Sequence, residues 1–100
     1  QDYAKAHKWF LKAASQGNAA AQAMLGDICF RGEGVKQDYA KARVWYLKSA
    51  SQGDAHAQCA LGRIYYDGAG VKRDSVKARE WFLKSAYQGY DEAHRLLDSM

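Results

Sequence analysis

Apolar residues along this chain recur at helical spacing, in amphipathic runs separated by glycine. Within Asp38–Gln52, residues Tyr39, Ala42, Tyr46 and Ala50 fall on one face, and Trp45 broadens that stripe. From about Asp54 to Asp67 the stripe is Ala57, Leu61, Ile64 and Tyr65. From about Asn18 to Arg31, Ala21, Leu25, Ile28 and Cys29 hold the matching sites. The pattern predicts two kinds of helix in alternation. The first kind begins at Asp2, Asp38 or Asp74, because an Asp side chain accepts hydrogen bonds from the unpaired N–H groups of a first turn. Gly17, Gly53 and Gly89 close it, each able to adopt the left-handed conformation that ends a helix. Lys48 falls in the later turns, where positive charge is favoured.

The order of these elements repeats. Gly32–Trp45 reads G-E-G-V-K-Q-D-Y-A-K-A-R-V-W and returns as G-A-G-V-K-R-D-S-V-K-A-R-E-W over Gly68–Trp81, while its second half opens the chain. The period is about 36 residues, the mark of a helical repeat array. It divides a single domain, 1–100, into copies 1–36 and 37–72 and a partial copy 73–100. In each connecting loop two glycines allow positive φ and one valine can plug the gap between helix ends. The loops are not phosphate cradles: no strand precedes them, G-x-G-x-x-G is absent, and no Lys-Ser/Thr pair follows. Gly26 and Gly62 lie inside helices, where glycine costs about 1 kcal/mol relative to alanine. Their recurrence implies close approach by a neighbouring helix, under Trp45 or Trp81.

Composition sharpens the picture. The chain has no proline and is 48% hydrophobic, enough for a core once repeats stack. Its net charge of +4 is spread singly over helix positions, without the concentrated basic surface that nucleic acid requires. No apolar run approaches the roughly 20 residues of a membrane span. The chain begins at Gln1, inside a repeat, and reads as an excised or mature portion. Cys29 and Cys59 are offset by about six residues between copies, or ~9 Å along a helix axis. Adding the distance between helices exceeds disulfide reach, so both are expected as free thiols.

Candidate chemistry is sparse. His7, His56 and His94 form no H-x-x-x-H pair and have no Cys at ligand spacing; they read as solvent-exposed helix residues, with no metal or other cofactor. The serines sit in no nucleophile motif, and Ser49 and Ser85 share one repeat position, where small residues let helices pack. A repeated residue argues for structure, since an active site needs one unique constellation. No catalytic residue is assigned. The aromatics Trp9, Phe10, Trp45, Tyr46, Trp81 and Phe82 recur in step and are expected to pack between helices.

These residues resemble the Sel1-like repeats, relatives of tetratricopeptide repeats. The pattern is carried by Ala57, Leu61, Gly62, Tyr65, Gly68, Gly70, Val71, Asp74, Lys77, Ala78, Trp81, Phe82, Lys84, Ala86 and Gly89, and by their counterparts one period earlier. The resemblance spans essentially the whole chain. It departs at Lys36 and Lys72, where the family often has proline, at Cys29, usually Tyr, and at Asp98, usually Gly. The last departure predicts a fraying final helix. The resemblance implies an all-α, right-handed α-α superhelix (solenoid) of five to six helices in antiparallel pairs, with the glycine-bearing helices lining a concave face. It also implies a non-enzymatic scaffold or adaptor of bacterial origin that binds a protein or peptide. The alternative is a toxin-neutralising immunity protein or host-interaction protein of a bacterial envelope; a hydrolase is weaker still, having no residues assigned. Many members are exported or periplasmic, with a cytoplasmic placement left open. Open repeat ends offer a route to end-to-end self-association.

Specificity should reside where the copies differ. On the second helices, Ala23, Asp27, Phe30 and Arg31 lie on one stripe, matched by Cys59, Arg63, Tyr66 and Asp67 and then by Arg95 and Ser99. Asp27, Phe30, Arg31, Cys59, Arg63, Tyr66, Asp67 and Arg95 are therefore the expected partner-binding residues.

Overall fold

The computed structural model describes residues 3–100, which form six helices and, among the described residues, no strand. They pair as three hairpins: α1 (Tyr3–Ser15) with α2 (Ala19–Arg31), α3 (Tyr39–Ser51) with α4 (Ala55–Asp67), and α5 (Ser75–Tyr87) with α6 (Asp91–Asp98). Each helix packs on the next, and α2 also reaches α4. The result is an all-α solenoid measuring 38 × 25 × 21 Å. None of the described helices is long and apolar enough to cross a membrane.

The caps expected at Asp38 and Asp74 are present, and the second helices carry caps of their own. Asp38 and Asp74 accept from the Lys41 and Lys77 backbone N–H groups, each at 3.0 Å. Asn18 and Asp54 do the same for Ala21 and Ala57, each at 2.9 Å. The helix start expected at Asp2 lies outside the described residues. Replacing Asp74 with alanine orphans a first-turn N–H and should cost about 1 kcal/mol, measured by urea denaturation. At the other end of α2 and α4, Gly32 and Gly68 adopt φ of 75° and 70° and donate to Ile28 and Ile64. Val35 and Val71 then tuck against the core.

The stripes expected to be apolar are buried, with Leu25, Ala42, Ala57 and Leu61 wholly so. Tyr39 is the exception: it sits exposed at the edge, tilted against Phe30 with ring centroids 4.9 Å apart. The close approach at the helical glycines is real but involves different aromatics from those expected. A Cβ on Gly26 would lie 2.6 Å from the Tyr46 ring, and one on Gly62 would overlap the Phe82 ring. Trp45 and Trp81 instead lie half-buried against the hairpin before their own, with the Lys48 and Lys84 ammonium groups 5.1 and 4.7 Å from the ring centres. Trp9, the equivalent residue in the first described helix, is 74% exposed rather than packed between helices.

Polar side chains also hold the stack in register. Ser49 and Ser85, fully buried, donate to the Ala19 and Ala55 carbonyls at 2.7 and 2.8 Å. Gln52 donates to Gln22 and Gln88 to Gln58, at 2.8 and 2.9 Å. The inner glutamines pass the chain on to the Ala14 and Ala50 carbonyls. The serines were expected only as small packing residues; they also satisfy buried carbonyls across hairpins, which an alanine could not do.

Candidate functional site

Some of the side chains at which the repeat copies differ come together. A cavity of about 220 Å³ opens on the inner side, between α2, α4 and the start of α6. Phe30 and Ala60 give it apolar walls, Arg31 and Arg63 stand at its sides, and Asp27, Tyr46, His56 and Glu92 supply its remaining polar lining.

Asp27 is the hub. It is buried in the middle of α2, and its carboxylate accepts from the Tyr46 hydroxyl of α3. The Nε2–H of His56, on α4, donates to both carboxylate oxygens at 3.0 Å. The Nδ1 of His56 faces the Tyr90 hydroxyl at 2.8 Å. With His56 neutral, Tyr90 donates to Nδ1; with His56 charged, Nδ1–H donates to Tyr90. Four segments are thus joined through one ring and one carboxylate.

The electrostatics favour a charged pair. Burial works to raise the Asp27 pKa, but the hydrogen bonds from His56 and Tyr46, with help from the charges of His56 and Arg31, outweigh it and hold the carboxyl below its ordinary value. The hydrogen bond to Asp27 raises His56 above the usual histidine range, and burial opposes this only in part. Burial, and then the bond to Asp27, push the Tyr46 phenol far up, and burial also raises Tyr90.

This is an orienting carboxylate and an imidazole without an activated nucleophile. The nearby hydroxyls are shifted away from ionisation. Burial first, then a hydrogen bond to Glu92, push the Cys59 thiol up to about 12. Among the described residues, no group of three His, Cys, Asp or Glu side chains could hold a metal. The arrangement ties four segments together and presents charge at the cavity wall.

Of the residues expected to bind a partner, Asp27, Phe30, Arg31 and Arg63 line the cavity. Asp27 is more buried than an open groove residue, because Tyr46 and His56 cover it. Cys59 is a correction: it is 1% exposed, sits in the core beneath α6, and reaches only Glu92, at 3.4 Å. Ala23, on the same stripe, is core as well. Tyr66 is half-buried, with the Arg73 guanidinium 4.9 Å from its ring centre, which places it on the loop side of α4. Asp67 and Arg95 are exposed beyond the cavity walls.

Sequence reasoning missed Tyr46, His56, Tyr90 and Glu92. His56 is a correction, since it is half-buried and doubly bonded rather than a free surface residue; His94 is exposed and His7 half-buried. The signal was present in the register. Ala20, His56 and Glu92 share one repeat position, as do Asn18, Asp54 and Tyr90. At the latter position the first two residues cap their helices, but Tyr90 makes no side-chain cap and turns to His56 instead. Asp91 and Glu92 in the first turn of α6 supply the negative charge that end favours.

Comparison with known proteins agrees with this architecture. The sequence model of the Sel1 repeat matches residues 1–18, 19–54 and 55–90. Its boundaries fall before each second helix, half a copy out of phase with a division at 36 and 72. A Sel1 repeat protein from Oxalobacter formigenes superposes with a TM-score of 0.90 at 40% identity, over 98% of this chain and 40% of its own. A protective antigen of uropathogenic Escherichia coli with an SLR fold gives 0.84 at 39% identity, over 87% of this chain and 19% of its own. The chain therefore spans less than half the length of either relative. No curated protein matches it.

Proposed function

This chain belongs to the Sel1 repeat family, and we propose that it is a non-enzymatic scaffold holding a protein or peptide segment along its inner face. Repeats of this family are generally protein-interaction scaffolds. One observation carries the proposal: Asp27, Phe30, Arg31, His56, Ala60, Arg63 and Glu92, positions at which the copies differ, come together around one cavity. The cavity, about 220 Å³, is below the roughly 300–1,000 Å³ of small-molecule sites. It is the size of one large anchoring side chain, which Phe30 and Ala60 would clasp.

Ala60 provides the test. The equivalent positions in the other copies are Met24 and Leu96, so Ala60→Met fills the cavity with a residue the scaffold already tolerates. Peptides selected from a random displayed library on the unaltered protein should bind Ala60→Met at least about tenfold more weakly. Its melting temperature should change little. Equal binding to both proteins would remove the cavity from the function.

A further inference from the structure

We propose that the cavity takes one aromatic side chain bearing a hydrogen-bond donor, a tryptophan or tyrosine of the bound segment, with its N–H or O–H directed to Asp27. This rests on the groove reading above and names the kind of residue that fills the groove. Its walls favour a ring. Where the other copies place Met24 and Leu96 this one has Ala60, so the wall is open by most of a long side chain. Phe30 offers an aromatic surface to the space of about 220 Å³ that results. Arg31 and Arg63 line it with guanidinium groups, whose planar faces stack on rings.

Charge narrows the choice. His56 lies 3.0 Å from Asp27, Arg63 3.8 Å from Glu92, and Arg31 3.6 Å from Glu33. Each charge of the lining has its opposite beside it, so neither an acidic nor a basic side chain would find an unanswered one. A wholly apolar occupant fits poorly too, because it would strip water from Asp27 and give nothing back. The Oδ1 of Asp27 accepts from Tyr46 and shares the His56 N–H; among the described residues, Oδ2 has only the other share of that N–H. An ionised carboxylate has room for about four such bonds. The His56 nitrogens are both engaged, and Glu92, 40% exposed, keeps water of its own. Asn, Gln, Ser and Thr carry a donor but leave the Phe30 and Ala60 walls uncovered. Indole N–H and phenol O–H deliver the donor from the rim of a ring that covers them.

The test is a random displayed peptide library selected on the protein, with affinities of the recovered peptides, resynthesised with a dye, measured by fluorescence anisotropy. Recovered peptides should share one Trp or Tyr. Exchanging a shared Tyr for Phe, or a shared Trp for its benzothiophene analogue, deletes the donor and keeps the ring. Either exchange should weaken binding about tenfold. On Asp27→Ala that preference for the donor should vanish, parent and analogue binding alike. Analogues that bind the native protein as well as their parents would overturn the proposal, as would a donor preference that persists on Asp27→Ala. Peptides anchored by aliphatic or charged side chains would overturn it as well. In each of those cases, loss of binding on Ala60→Met leaves the groove standing. If nothing recovered depends on Ala60→Met, both readings fall.

Discussion

Gly62→Ala destabilises the array by about 2 kcal/mol, although alanine in a helix normally gains about 1 kcal/mol over glycine. The reason is the Phe82 ring, which lies across the Gly62 backbone where the new methyl would go. That ring is 1% exposed, so it cannot swing into solvent and must push the hairpins apart. Phe82→Ala, which leaves a cavity at the same place, should cost more, about 3–5 kcal/mol. Gly62→Ala in a Phe82→Leu background should then be much less harmful than in the native one, since a smaller side chain makes room. Urea denaturation of the four proteins forms a double-mutant cycle. Additive losses, or a stabilising Gly62→Ala, would refute the contact.

The second large effect is centred on Asp27 and depends on pH. Asp27→Ala leaves the buried Tyr46 hydroxyl without its acceptor, a loss of about 1–3 kcal/mol. The His56 share is smaller, because its side chain is 40% exposed and solvent screens the pair. The groups facing His56 are Asp27, Tyr46, Tyr90 and Glu92 from other segments, with Asp54 at the start of its own helix. The carboxylates raise its pKa in the fold above 6.5, so its contribution is complete below pH 6.5 and fades as pH rises through the raised value. The Asp27 pKa is lowered below 3.8, so its contribution is complete above pH 3.8 and fades as pH falls through the lowered value. The stability difference between the native protein and Asp27→Ala should therefore peak between pH 3.8 and 6.5. His56→Gln should remove the alkaline slope of that difference and keep the acid one. A difference that stays flat from pH 3 to 9 contradicts the paired charges.

The solenoid could be read from the sequence because its instructions are local and repeated: Asp38 and Asp74 start helices, Gly53 and Gly89 close them with positive φ, and Leu25 and Leu61 mark the buried side. The site was only half legible. Arg31 and Arg63 appeared on the second-helix stripe, since that helix carries both its register and its exposure. Tyr46 did not, because its position reads as core, like Phe82, and only its hydroxyl distinguishes it. His56 and Tyr90 were hidden for another reason. Their meaning lies in a contact with Asp27 on a different hairpin, 29 residues away in the chain for His56, and no helical period reports that. Cys59 was misplaced because a stripe at i, i+4 spacing runs from the open groove into the seam that α6 covers.

The division of labour between shared and unshared positions is tested most directly by amide NMR of the labelled protein, titrated with a peptide recovered by library selection. Shift changes should gather on the inner helices around Phe30, Arg31, His56, Ala60 and Arg63, and leave the outward residues Val44, Arg79 and Leu83 unmoved. Changes centred on those outward residues, or on Trp9 at the open end, would place binding elsewhere and contradict the account.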